Sequence, residues 1–327
     1  MSLLTDGGSD IEPATPPAPT SDSKLVIAHP QWVYLIANQA RLFSQESAPN
    51  PAQISSPVGC KSPGEIVASI SKAGTAKANN SVAKLLLLGF LAGAYIAFGG
   101  VVAIATGKAI TAPGLGGLSK LVFAGTFPVG LMLVVIAGAE LFTGNIGVIT
   151  PSLLSGEARW SAALKNWVVV YVGNLIGSIF VAFFLSYLTG LFGSPPYLDA
   201  VQGIATAKVN IPFWAAFWRG VGCNWMVCLA VWLAVSANDT TGKVWGIWFP
   251  IMAFVAIGFE HCVANMFFVP LGIFYGAEVT WAQFLTSNLV PVTLGNVVGG
   301  SVFVGAVYWW LYARKPRSRL PIPTAIS

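Results

Sequence analysis

Three ionisable side chains stand inside stretches that otherwise carry no charge: Glu140, Glu260 and His261. Glu140 divides the apolar runs 121–139 and 141–156, and Glu260-His261 divides 244–259 from 262–277. Within a bilayer such residues are costly, face a protein interior or a water-filled path, and carry function by default. Histidine, with an ordinary pKa of about 6.5, can exchange protons near neutrality. The chemistry on offer is therefore passage of a small ion or a proton. Bond-making chemistry lacks its parts. The four cysteines (Cys60, Cys223, Cys228, Cys262) form no closely spaced pair and the only other histidine is His29, so no zinc or haem set is expected. No activated nucleophile is expected either, hence neither cofactor nor enzyme activity. Three of the cysteines fall in apolar runs and read as buried, inert thiols.

The elements that carry these residues follow from composition. The chain has 327 residues, 55% of them hydrophobic and 9% charged, against about a quarter charged in a soluble domain. A soluble enzyme is excluded. The formal charge of +5 does not indicate nucleic acid, because the basic residues sit at the edges of apolar runs and in the tails. Four charge-free stretches, beginning at residues 85, 166, 220 and 279, each hold one membrane span, the third starting a turn earlier near Phe213. In the two remaining regions, the run on at least one side of Glu140 or of Glu260-His261 is too short to span alone. Each region is also too short for two spans and a turn, so each reads as one helix broken near mid-membrane. The expectation is an all-α membrane protein of six spans, with helices 2 and 5 broken.

The two breaks share one pattern. Gly138-Ala139-Glu140-Leu141-Phe142-Thr143-Gly144-Asn145 aligns with Gly258-Phe259-Glu260-His261-Cys262-Val263-Ala264-Asn265, and Gly173-Asn174-Leu175-Ile176-Gly177 aligns with Gly295-Asn296-Val297-Val298-Gly299. This is an internal repeat of about 120 residues. Three spans per repeat, an odd number, require the second half to enter from the opposite side, so the repeats, about 85–190 and 212–313, are inverted. In such folds the binding or conduction site lies where the broken helices meet. The Gly-x-x-x-Gly pairs 89/93, 173/177 and 295/299 indicate close helix packing.

Each break exposes backbone N–H groups and the positive end of a helix dipole, which together favour a small anion. Glu140 and Glu260, with Asn145 and Asn265, are read as loop-structuring groups whose carboxylates accept from the freed backbone donors. Proton transfer by Glu260 is the alternative. His261 has no counterpart, Leu141 occupying its place, and is assigned to the pathway. Phe127, Leu131, Leu141, Phe142 and Phe254 flank the breaks and suit apolar constrictions around a polar centre. A bare monoanion would cross them at high desolvation cost, whereas a neutral acid avoids most of it. A protonation-assisted passage follows, with protons and a monoanion as partners.

Residues 1–61 form a Pro/Ser/Ala-rich tail expected to be disordered, with a candidate docking helix over 25–43. Ser62-Pro63-Gly64-Glu65 reads as a capping box opening an amphipathic surface helix. The domain spans 62–313, and 314–327 form a basic tail. With the N-terminus inside, the inner segments hold eleven Lys/Arg residues (Lys61, Lys72, Lys77, Lys84, Arg159, Lys165, Lys243, Arg314, Lys315, Arg317, Arg319), and the outer loops only Lys108, Lys120 and Lys208. Both termini are therefore placed in the cytoplasm, with a cell (inner or plasma) membrane preferred over a plastid envelope.

The strings at 138–145 and 258–266 strongly resemble signatures of the formate/nitrite transporter family, as do Asn224-Trp225-Met226-Val227-Cys228-Leu229-Ala230 and Pro291-Val292-Thr293-Leu294-Gly295-Asn296. The resemblance covers about 62–313. It implies an aquaporin-like protomer in a homopentamer, each protomer with its own pore. It further implies His261 at the centre with Thr143 beside it, and Lys208 and Asn224 as a vestibule lysine and its associated asparagine. Leu131 and Phe254 would form a cytoplasmic constriction, Leu141 and Phe142 a periplasmic one, and Phe127 a cytoplasmic-side pore residue. Cys262 stands where serine is usual. Within the family, Glu140-Leu141-Phe142-Thr143-Gly144 looks more like the nitrite branch. Nitrite is thus the expected anion, formate the alternative, then hydrosulfide or a short monocarboxylate; a neutral-solute pore is more distant.

Overall fold

A computed structural model describes residues 59–314; the tail, the candidate docking helix at 25–43 and most of the basic C-terminal tail lie outside the described residues. Within them the chain is helical, and its elements form two series of five. The first is α1 Pro63–Ala78, α2 Val82–Gly107, α3 Gly116–Ala137, α4 Phe142–Leu154 and α5 Trp160–Tyr187. The second is α6 Tyr197–Val209, α7 Phe213–Ser236, α8 Thr240–Ile257, α9 Cys262–Phe274 and α10 Trp281–Tyr312. Six helices (α2, α3, α5, α7, α8, α10) are long and apolar enough to cross a bilayer. The two broken helices are α3–α4 and α8–α9. The repeat is longer than 85–190 and 212–313 suggest, because α6 stands to the second half as α1 stands to the first.

Local sequence accounts for the breaks. Gly138 and Gly258 end α3 and α8 at φ 85° and 88°, a left-handed conformation that a side chain would strain. The chain then folds back, with Ala139 N donating to Val134 O and Phe259 N to Phe254 O. The helices that follow, α4 and α9, have 13 residues each, about 20 Å and too short to cross the hydrocarbon. They are buried along nearly their whole length. Irregular backbone at membrane depth is tolerated only where protein covers it.

Small residues let the other helices close around this centre. A Cβ on Gly93 would strike Asn174 O, and one on Gly177 would strike Phe90 O, so α2 and α5 meet backbone to backbone. Gly295 and Gly299 of α10 meet Phe217 O and Val221 O of α7 in the same way. On one face, α1 lies against α4, with Gly74 over Ser152 and Val148; on the other, α6 lies against α9, with Gly272 under Val201 and Ala205. The start of α1 is the expected capping box: Glu65 accepts from Ser62 N at 2.8 Å, and the Ser62 donors hold the Glu65 carboxyl below the usual carboxylate range. Ile66, Val67 and Ile70 form its buried face. Three crossings separate α1 from α6, so the two short helices mark opposite faces of the bundle.

Candidate functional site

Both breaks are held by one set of hydrogen bonds. Asn174 Oδ1 accepts from Phe142 N at 2.9 Å, while its Nδ2 donates to Glu140 O at 3.0 Å and Gly89 O at 2.8 Å. Asn296 Oδ1 accepts from Cys262 N at 2.9 Å, and its Nδ2 donates to Glu260 O at 3.0 Å and Gly220 O at 2.8 Å. Each amide thus bridges the peptides on either side of a single residue, Leu141 in one half and His261 in the other.

The carboxylates have different partners from those expected. Glu140 pairs with Lys77 of α1 at 2.9 Å and accepts from Asn145 Nδ2 at 2.6 Å. Glu260 pairs with Lys208 of α6 at 3.0 Å and accepts from Asn265 Nδ2 at 2.7 Å. Asn145 also donates to Asn166, which donates to Lys77 O; Asn265 donates to Asn288, which donates to Lys208 O. The freed N–H groups of Phe142 and Cys262 therefore go to asparagines, not to Glu140 and Glu260. The reason is chemical. An amide can meet a carbonyl and an N–H at once, whereas a carboxylate only accepts.

Of the positions where the two halves differ, three stand out in the repeat alignment: His261 against Leu141, Thr143 against Val263, and Asn224 against Gly93. These three meet. His261 Nε2 lies 2.8 Å from Thr143 Oγ1, and His261 Nδ1 accepts from Ala264 N at 3.1 Å, capping α9. With Nδ1 accepting, the neutral ring carries its hydrogen on Nε2 and donates to Thr143. Asn224 Nδ2 donates to Thr143 O at 3.1 Å and to Asn296 O at 2.6 Å. His261, Thr143, Asn224 and Asn296 are all buried.

A cavity lies beside each break; His261 lines the one on the α6 side and Thr143 lines neither. On the α6 side, about 440 Å³ are lined by Lys208, Glu260, His261, Phe127, Phe254 and Phe268, together with Lys108 and Lys120. On the α1 side, about 340 Å³ are lined by Lys77, Glu140, Leu131, Leu141 and Asn145. The α6-side cavity is net positive, because Lys108 and Lys120 stand there beside the Lys208–Glu260 pair, whereas Lys77 on the α1 side is offset by Glu140. The apolar walls on both sides resist a bare charge.

The expected constrictions are re-paired by this geometry. Phe127 and Phe254 pack edge to face at 6.2 Å and line the α6-side cavity, not the α1 side. Leu131 and Leu141 both line the α1-side cavity. Helix α3 runs from the α6 face toward the α1 face, so Phe127, about 6 Å earlier along its axis than Leu131, falls on the other side. Phe142 lines neither cavity. Its ring rests on Tyr171 at 4.8 Å, in an apolar groove between α5 and α10, because one helical step from Thr143 turns it away. Asn224 is not the partner of Lys208, whose asparagine contacts come from Asn288 and, through Glu260, from Asn265. The residues missed from sequence are Lys77, Asn166, Asn174, Asn288 and Asn296. The matched Gly-Asn-x-x-Gly strings could have revealed Asn174 and Asn296.

Residues 64–310 match the family model described as formate/nitrite transporter. A probable formate transporter of Methanothermobacter thermautotrophicus is 51% identical over 270 residues, covering 78% of this chain and 98% of that protein. Among solved structures, an FNT family ion channel superposes with TM-score 0.69 at 34% identity, covering 76% of this chain and 98% of that one. A pentameric formate channel with formate bound gives TM-score 0.63 at 36% identity, covering 71% of this chain and 98% of that one.

Proposed function

The chain belongs to the formate/nitrite transporter family, a family of membrane channels and transporters rather than enzymes, and from that footing we propose that it conducts a small planar monoanion, formate first, along a path through His261 and Thr143. The observation that supports the path most is the buried His261–Thr143 pair, standing where the repeat loses its symmetry between two lysine-bearing cavities. Lys108 and Lys120 give the α6-side mouth a net positive charge that draws the anion in, Lys208 and Lys77 being paired with Glu260 and Glu140. Phe127 and Phe254 on one side, and Leu131 and Leu141 on the other, form the apolar barriers. Protonation near His261 lets the substrate cross as a weak acid, which removes most of the desolvation cost of a bare charge. Glu140, Glu260, Asn145 and Asn265 brace the breaks. The assembly is a homopentamer, as in the solved formate channel, set in a cell membrane with both termini inside.

Formate takes precedence because the Methanothermobacter relative and the solved pentameric channel carry formate in their names. Nitrite is the second reading, favoured by the string Glu140-Leu141-Phe142-Thr143-Gly144. Proteoliposome flux with labelled formate and competing nitrite tests both. Saturable, pH-dependent formate uptake that His261→Ala disturbs without loss of assembly is expected. Ready passage of glycerol with neither anion carried would overturn the reading.

A further inference from the structure

We infer that Asn296 is the positioning residue of His261: its amide clamps the two peptides that flank the histidine and thereby fixes the ring against Thr143. The clamp is direct on both sides. Asn296 Nδ2 holds Glu260 O at 3.0 Å, one residue before His261, and Asn296 Oδ1 holds Cys262 N at 2.9 Å, one residue after it. The third bond, to Gly220 O at 2.8 Å, anchors the clamp to α7.

A second link closes a circuit. Asn224 donates to Asn296 O and Thr143 O, at 2.6 and 3.1 Å, and so ties the α10 backbone that carries the clamp to the α4 backbone that carries the histidine's partner. His261 and Thr143 come from different halves of the chain, and their 2.8 Å contact has no covalent support nearby. A rigid surrounding shell has to supply it. The ring itself is doubly committed, Nε2 to Thr143 and Nδ1 to Ala264 N, so a displaced backbone at 260–262 would break both bonds.

The repeat provides its own control. Asn174 makes the same three bonds around Leu141, with the same lengths, and is equally buried. Removing either amide strips the same backbone groups of partners. Only one of the two removals touches a histidine. A merely structural role predicts equal consequences, whereas a positioning role predicts a difference.

The test rests on the functional reading for its flux arm and not for its spectroscopic arm. The full chain is purified without a histidine tag and reconstituted; His29→Gln leaves His261 as the only imidazole, and its ring nitrogens are followed by ¹⁵N NMR. The parent should show hydrogen on Nε2 and an accepting Nδ1. Asn174→Ala and Asn296→Ala should lower the thermal unfolding midpoint alike. Asn296→Ala alone should shift the ring signals, and formate flux should fall at least about tenfold below that of Asn174→Ala, within the roughly hundredfold that a 1 Å misplacement can cost. Flux against pH should change shape only in that variant. Lys208, Glu260, Lys108 and Lys120 line the same cavity as the ring, and all are common to both variants. Asn296→Leu compared with Asn174→Leu, near-isosteric and uncharged, gives the same reading where the alanine variant does not assemble. Equal ring shifts in the two halves, or none in either, would overturn the inference. A parent that carries neither formate nor nitrite would overturn the functional reading and leave the ring measurement standing.

Discussion

Tyr171 and Thr293 occupy equivalent places in the two halves, 122 residues apart, and their hydroxyls are hydrogen-bonded to each other at 2.9 Å. Equivalent residues can touch only where the pseudo-twofold axis passes between them, so this bond marks the axis between α5 and α10. The bond is half-buried in an apolar groove. Tyr171→Phe and Thr293→Val should each lower stability by about 1 kcal/mol, the usual net value of such a bond. A double-mutant cycle on unfolding in detergent should return a coupling near that value. Strict additivity would mean the hydroxyls do not sense each other.

The two buried ion pairs can be told apart from surface pairs by the same kind of cycle. Glu140 is 7% exposed at its side chain and Lys77 26%. Lys77→Met leaves a desolvated carboxylate held by Asn145 alone, and should cost about 3 kcal/mol, the low end for a broken buried pair because the lysine is partly wet. Adding Glu140→Gln should recover most of the loss, since the amide can still accept from Asn145 without carrying a charge. Thermal unfolding of the solubilised protein reads both. A double variant as unstable as Lys77→Met would contradict this account.

Glycine substitutions should divide by what their Cβ would meet. At Gly177 it would run into Phe90 O, and at Gly295 into Phe217 O, both backbone atoms that cannot step aside. Gly177→Ala and Gly295→Ala should each cost at least about 2 kcal/mol and lower assembly on size exclusion. Gly64, in the exposed first turn of α1, has open space around it. Gly64→Ala should be neutral or stabilising, by up to about 1 kcal/mol, because it lowers the chain entropy of the unfolded state.

Charge patterning made the fold legible. In so apolar a chain, Glu140 and Glu260-His261 could stand only at breaks, and their shared Gly-x-Glu spacing exposed the inverted repeat. What stayed hidden was every contact that depends on distant chain. Lys77 looked like a lysine of a surface helix, and nothing local says that it reaches a carboxylate in the first break. Asn166 and Asn288 are single polar residues in apolar helices, a pattern that specifies burial with a partner but not which partner. The pairing of the constrictions came from resemblance alone, and the cavities group those residues differently and leave Phe142 out of both. Side of membrane depends on helix direction and on a rotation of about 100° per residue, and proximity in sequence to a break carries neither.

The Thr143 hydroxyl has one neighbour that no other residue can replace. His261 Nδ1 is occupied by the first turn of α9, so only Nε2 faces the path, and Thr143 Oγ1 sits against it. Thr143→Val preserves shape but removes the hydroxyl, leaving the buried Nε2–H without a partner, a loss of about 1–3 kcal/mol in stability. Thr143→Ser keeps the oxygen and drops a methyl group. If the pair is the polar centre of the path, formate flux should fall steeply in the valine variant and survive in the serine variant, with the assembly of both unchanged from wild type on size exclusion. The expected order is wild type, serine, then valine, and it should hold at every pH at which the parent is active. Equal flux in the serine and valine variants would remove the hydroxyl from the mechanism and leave His261 acting alone.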